Sequence, residues 1–124
     1  MEKKRILIIE DEKDIVLFLK EALEDEEYEV IAVGNGLDAQ EIMKNRSFEL
    51  VILDMLLPGE HGMNIVDYIR DNFFTPIIIT SGIYKRDEIL STFEDSNVKD
   101  FFQKPFKIKE LLKKIDSILN EKKL

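Results

Sequence analysis

Five apolar runs alternate with five helix-period segments in this chain. That alternation predicts an α/β fold, a doubly wound five-stranded parallel sheet with five helices on its two faces and right-handed crossovers. Two further observations support it. The runs at residues 6–9, 51–53 and 77–79 are continuous rather than alternating, as strands buried on both faces require. The chain has 124 residues, is 44% apolar, and carries no repeat, linker or low-complexity segment, so residues 1–124 read as one domain around one core.

The elements follow in order. Residues 6–9 form the first strand, which ends in Glu10-Asp11-Glu12. A helix runs to about residue 26, with Ile15, Phe18, Leu19, Ala22 and Leu23 on one stripe. Residues 28–33 form the second strand, and Gly34-Asn35-Gly36 is the turn after it. A helix over about residues 37–45 buries Ala39, Ile42 and Met43. Residues 48–54 form the third strand, which ends on Asp54; Pro58-Gly59 forces a turn, and the loop runs through Gly62. The next helix turns Met63, Val66 and Ile69 inward. Thr75-Pro76 opens the fourth strand, residues 77–79, which ends in Thr80-Ser81-Gly82. A more polar helix over roughly residues 86–94 packs through Ile89, Leu90 and Phe93. Phe101-Phe102 marks a short fifth strand that stops at Lys104-Pro105. The last helix has the clearest period, with Ile108, Leu111, Leu112, Ile115, Ile118 and Leu119 at three/four spacing.

Charge and composition exclude several classes. A net charge of -8 argues against direct nucleic-acid binding, which needs a basic footprint. The charge is uneven: residues 1–98 hold 10 basic and 22 acidic residues, residues 99–124 hold 8 basic and 4 acidic. The basic end is either a solvated lysine face or a docking surface for an acidic partner. No apolar run is long enough to span a bilayer, and Met1-Glu2-Lys3-Lys4-Arg5 leads into a strand rather than a signal peptide. The expectation is a cytoplasmic protein with no membrane partner. The absence of cysteine excludes a disulfide scaffold and a thiolate metal site.

Ligands of an open parallel sheet bind outside the carboxyl ends of its strands. Those ends carry Glu10 and Asp11, then Asp54, then Ser81, then Lys104. Each residue alone has an ordinary structural reading; the set on one edge does not. A lone Asp at the mouth of a buried strand costs solvation unless something compensates it. Three neighbouring carboxylates also raise each other's pKa, a penalty that a hard divalent cation such as Mg²⁺ removes through oxygen ligands. The single His61 sits in a loop without partners for zinc and reads as a solvated residue. Carboxylate attack on a phosphoryl donor gives an aspartyl phosphate, with a metal and an ammonium stabilising charge on the transferring oxygens. Asp54 is the expected nucleophile.

At these residues the chain resembles the receiver domain of two-component response regulators. The resemblance rests on Glu10-Asp11, on Asp54 with Pro58-Gly59 and Gly62 behind it, on Pro76 with Ser81-Gly82, and on Phe101-Phe102-Gln103-Lys104-Pro105-Phe106. It covers essentially the whole chain and implies a flavodoxin-like sheet with strand order 2-1-3-4-5. It also implies roles: Asp54 is phosphorylated, and Asp11 and Asp54 bind Mg²⁺ directly, Glu10 through water, with the Leu56 backbone carbonyl completing the protein's share. Lys104 pairs with the phosphoryl group, and its bond to Pro105 is cis. Ser81 is the switch hydroxyl, and Phe101 is the switch aromatic that turns inward on phosphorylation. The donor is a sensor histidine kinase or a phosphotransfer protein. The output is a protein target at the face formed by the fourth helix, fifth strand and last helix. Such a domain is not an enzyme beyond its own phosphorylation and dephosphorylation.

Departures from the commonest pattern are Glu10 for Asp, Ser81 for Thr, Phe101 for Tyr, and Asn97-Val98 for Gly-Ala. Leu56 and Ile83, two residues beyond Asp54 and Ser81, are apolar and cannot orient a hydrolytic water, so a long-lived phosphorylated state is expected. A metal-dependent phosphohydrolase with an aspartyl nucleophile is the competing reading. Its haloacid dehalogenase form needs an acid where Leu56 stands. A flavin mononucleotide binder would place its phosphate against Glu10-Asp11-Glu12, which repel it. A degenerate receiver that only docks partners does not suit an intact acid set. The given sequence stops with the last helix and reads as a stand-alone receiver or a piece of a longer regulator.

Overall fold

The continuous apolar runs become the strands of one parallel sheet. The structure, a computed structural model, describes residues 3–57, 60–94 and 96–120. Its elements are β1 (Arg5–Ile9), α1 (Lys13–Asp25), β2 (Glu29–Val33), α2 (Gly36–Asn45), β3 (Leu50–Asp54), β4 (Leu56–Leu57), β5 (Glu60–His61), α3 (Gly62–Asn72), β6 (Ile77–Ser81), α4 (Arg86–Thr92), β7 (Val98–Gln103) and α5 (Ile108–Leu119). The main sheet has the order β2-β1-β3-β6-β7 and every pairing in it is parallel. With the two-residue strands β4 and β5 set aside, this is the expected 2-1-3-4-5 order.

Strand alternation divides the core into two layers. Leu7, Ile9, Val51, Leu53, Ile77 and Ile79 face α2, α3 and α4, where Met43, Ile65, Val66, Ile69 and Ile89 meet them. Ile6, Ile8, Leu50, Ile52 and Ile78 face α1 and α5 through Leu19, Leu23, Leu111 and Ile115. Each such fully buried aliphatic side chain contributes about 1.5–3 kcal/mol of transfer free energy. Within the sheet, register does the positioning. Ile9 pairs with Leu53, so Glu10 and Asp54 leave their strands side by side. Ser81 pairs with Gln103, so Lys104 follows at the same edge, its N–H donating to the Ser81 carbonyl at 2.8 Å.

Several local expectations are corrected. Phe18 is 51% exposed; Leu19 and Leu23 carry the buried stripe of α1 instead. Met63 is exposed, and Ile65 takes the inward position beside Val66 and Ile69. α4 stops at Thr92, with Phe93 as its buried cap. β7 extends over six residues, because Asp100 is paired where it is buried. The stretch after Asp54 holds a small antiparallel hairpin, β4 with β5, that includes His61. The Pro58-Gly59 turn lies outside the described residues. Asn35 caps α2, its Oδ1 accepting the Asp38 N–H at 2.8 Å. Just past the C-cap of α1, Glu27 has a φ of 68°, the left-handed position that glycine usually fills. Gly62 opens α3 against Met55: a Cβ there would lie 2.6 Å from the Met55 Sδ and 2.9 Å from the Met55 carbonyl oxygen. Only a residue without a side chain fits this helix so close to the residue after Asp54.

Candidate functional site

Asp54 is the last residue of β3 and is 4% exposed. Its Oδ1 accepts the Leu56 N–H at 3.1 Å, and its Oδ2 lies 3.5 Å from the Lys104 Nζ. Glu10, equally buried just past β1, accepts from Lys104 at 2.7 Å through Oε1 and from the Glu12 N–H at 3.2 Å through Oε2. Lys104 therefore bridges the ends of β1 and β3 from the far side of the sheet. Asp11 is exposed, yet its carboxylate comes within 4.8 Å of those of Glu10 and Asp54. Glu12, which sequence reasoning left unassigned, stands 3.9 Å from Lys104 and is exposed.

The charges do not balance in this pocket. Burial pushes the Glu10 carboxyl above its usual range; the Lys104 bond opposes this, and the adjacent Asp54 charge adds to it. Burial alone would lower Lys104, but its bond to Glu10 and the charges of Asp54, Glu10 and Glu12 hold it above the ordinary lysine value. Lys104 stays charged, and acid remains in excess. Three oxygen donors of this kind suit a hard cation such as Mg²⁺ and do not suit zinc. Among the described residues no buried side-chain polar atom lacks a hydrogen-bond partner.

Glu10, Asp11, Asp54 and Lys104 are thus brought together as expected. Ser81 sits at the same edge, fully buried, but its hydroxyl is engaged elsewhere: Oγ accepts the N–H groups of Ile83 at 3.1 Å and Tyr84 at 3.3 Å. Phe101 is 2% exposed, so the inward position expected only after phosphorylation is already occupied. A phenyl ring has no hydroxyl to keep in water. The Leu56 and Ile83 side chains are 45% and 67% exposed. The Lys104-Pro105 bond is cis. Between α1 and this loop lies a cavity of about 410 Å³ lined by Glu12, Ile15, Phe18, Lys104, Pro105 and Phe106. Phe18, exposed at the surface of α1, is one wall of it.

A doubly wound parallel sheet that gathers three acids, a lysine and a hydroxyl at its carboxyl edge defines the receiver class of signalling domain. Residues 6–116 match the response regulator receiver domain, and the chain belongs to that family. Among its relatives is the response regulator ArlR of Staphylococcus saprophyticus, 36% identical over 93% of this chain and 52% of the relative. The chain spans about half the length of the curated relatives it matches. Among solved structures, a two-component response regulator from Clostridium difficile superposes with a TM-score of 0.88 at 25% identity, over 96% of this chain and 98% of that one. TrrA of Thermotoga maritima, solved in complex with Mg²⁺-BeF, superposes with a TM-score of 0.80 at 32% identity, over 94% and 99%. The chain is a two-component receiver, of the class that takes phosphoryl groups from histidine kinases. Among the described residues no helix is long and apolar enough to cross a membrane.

Proposed function

We propose that Asp54 is the phosphoacceptor of this receiver. One observation carries the reading: a buried carboxylate with one oxygen held by a backbone N–H and the other facing an ammonium 3.5 Å away. An Asp54 oxygen attacks the phosphorus of a phosphohistidine on a sensor kinase or phosphotransfer protein. The P–N bond breaks, the imidazole leaves with the bonding pair and takes up a proton, and an acyl phosphate remains. Lys104 then pairs with the new phosphoryl oxygens and Ser81 donates its hydroxyl to one of them. Asp11 and Asp54 directly, Glu10 through water and the Leu56 carbonyl would hold Mg²⁺, which when bound supplies charge neutralisation for the transferring oxygens.

The cavity beside Lys104, lined in part by Phe18, suits the approach of the donor's helix to Asp54. The responding surface is α4, β7 and α5, where Phe101 is packed and where the basic residues of the last helix stand ready for an acidic protein target. The net charge of -8 supports an absence of direct nucleic-acid contact, and we read the setting as cytoplasmic. Intact-mass measurement with a small phosphodonor and Mg²⁺ tests the reading. One phosphoryl group should add to the wild type and none to Asp54→Asn. Full phosphorylation of the Asn variant would move the nucleophile elsewhere.

A further inference from the structure

Arg86 has no part in the acidic pocket, yet it holds the loop that leads away from it. β7 is an edge strand, and both backbone polar groups of Phe101 are taken by side chains rather than by another strand. The Asp100 carboxylate accepts the Phe101 N–H at 2.8 Å, and the Arg86 guanidinium donates to the Phe101 carbonyl at 3.0 Å. Arg86 also pairs with the same Asp100 carboxylate, which is 5% exposed, and Lys114 of α5 approaches it at 3.7 Å. Arg86 is the first residue of α4.

The other end of this loop is Ser81, five residues earlier, whose Oγ accepts from Ile83 and Tyr84. For Ser81 to reach a phosphoryl group on Asp54, its oxygen must move. Either the loop follows the hydroxyl, or two part-buried N–H groups lose their acceptor, so following is the cheaper course. The loop then pulls on Arg86. Phe101 is already inward, so rotation of its ring cannot be the event that opposes or permits this movement.

We propose that the Arg86 bracket on Asp100 and Phe101 sets the energy of the response, making Arg86 a positioning residue that holds the β6–α4 loop in its unphosphorylated arrangement. This rests on the reading of Asp54 as phosphoacceptor. Weakening the bracket raises the population of the responsive arrangement, and so tightens binding of anything that selects it.

The test is a titration with beryllofluoride at fixed Mg²⁺, followed by the amide resonances of Ile83 and Tyr84, on wild type, Arg86→Ala and Arg86→Lys. Arg86→Ala should bind about threefold to tenfold tighter than wild type, within the ordinary range of coupling between sites. Arg86→Lys should fall between, because one ammonium cannot make the forked contact to a carboxylate and a carbonyl. Unfolding without beryllofluoride separates a merely structural role: that would lower the melting temperature and leave affinity unchanged. Affinity in Arg86→Ala equal to or weaker than wild type overturns the proposal. If Arg86→Ala does not fold, Arg86→Lys decides by the same criterion. A wild type that fails to bind beryllofluoride, or Asp54→Asn that binds it as well, overturns the phosphoacceptor reading and takes this inference with it.

Discussion

Among the described residues, carboxylates are buried in two places and neutralised differently. At the carboxyl edge of the sheet Glu10 and Asp54, with Asp11 alongside, share one lysine. At the outer edge strand Asp100 alone is met by both Arg86 and Lys114. The first cluster has more acid than cation, and the carboxyl of Glu10 is pushed up accordingly. The second has more cation than acid and also satisfies the backbone of Phe101. A cluster with acid in excess can be stabilised further by whatever brings positive charge, whereas one already supplied with cation in excess only holds structure. The two should therefore part company when lysine, acid, metal or pH is changed.

The largest effect is expected at Lys104. Lys104→Ala leaves buried acids without their cation and should cost about 2–3 kcal/mol in the metal-free protein, below the full penalty for breaking a buried pair because Glu10 can protonate. Millimolar Mg²⁺ should recover part of that loss. Urea unfolding with and without Mg²⁺ checks this; an equal loss in both would mean that Lys104 does not serve the acids. Asp100→Ala should cost less, about 1–2 kcal/mol, since Arg86 is half exposed and regains water. Mg²⁺ should restore none of it. Recovery by Mg²⁺ at Asp100 would erase the distinction between the clusters.

The third effect is one of pH. The raised value of Glu10 in the folded protein means that the native state keeps a proton the unfolded chain releases above its usual 4.5. Its contribution to stability is whole below that value and is lost as pH rises through the raised one. Glu10→Gln should flatten the metal-free stability profile from about pH 4.5 upward to the raised folded value, relative to wild type. Identical slopes in urea unfolding across that window would contradict the assignment. The smallest effect is a baseline far from both clusters: Glu27→Gly, at a φ of 68°, should stabilise by a few tenths to about 1 kcal/mol. A loss instead would show that the Glu27 side chain contributes more than its backbone costs.

Most of this contrast was half legible in the sequence. The acidic site was readable because strand ends converge whatever the side chains do, so Glu10, Asp11, Asp54 and Lys104 needed only the alternation of elements to be placed together. The Asp100 cluster carried a signal too: an acid inside a strand otherwise ending in Phe101-Phe102 demands a partner. Its partners, though, lie fourteen residues before and fourteen after, on helices whose rotation the periodicity leaves open. The same freedom explains Phe18 and Met63, which sit at the margins of their apolar stripes, where neighbours decide exposure. The hairpin of β4 and β5 is too short for any period to register. The direction of the Ser81 hydroxyl is a rotamer choice made by the loop around it.

The contact between Gly62 and Met55 bears on how loss-of-function variants of this domain are interpreted. A methyl group at position 62 would displace the residue next to Asp54 while leaving every acid and the lysine intact. Gly62→Ala should therefore score as a chemical defect in a phenotypic screen although no reacting group has changed. Second-site suppression would expose the disguise. Met55→Ala removes the Sδ contact at 2.6 Å but not the carbonyl at 2.9 Å, so it should restore phosphorylation of Gly62→Ala in part. Strictly additive losses in the double variant would show that the defect does not pass through Met55. Sorting of variants by distance from Asp54 along the chain would misplace this one; sorting by who must move to admit an extra carbon would not.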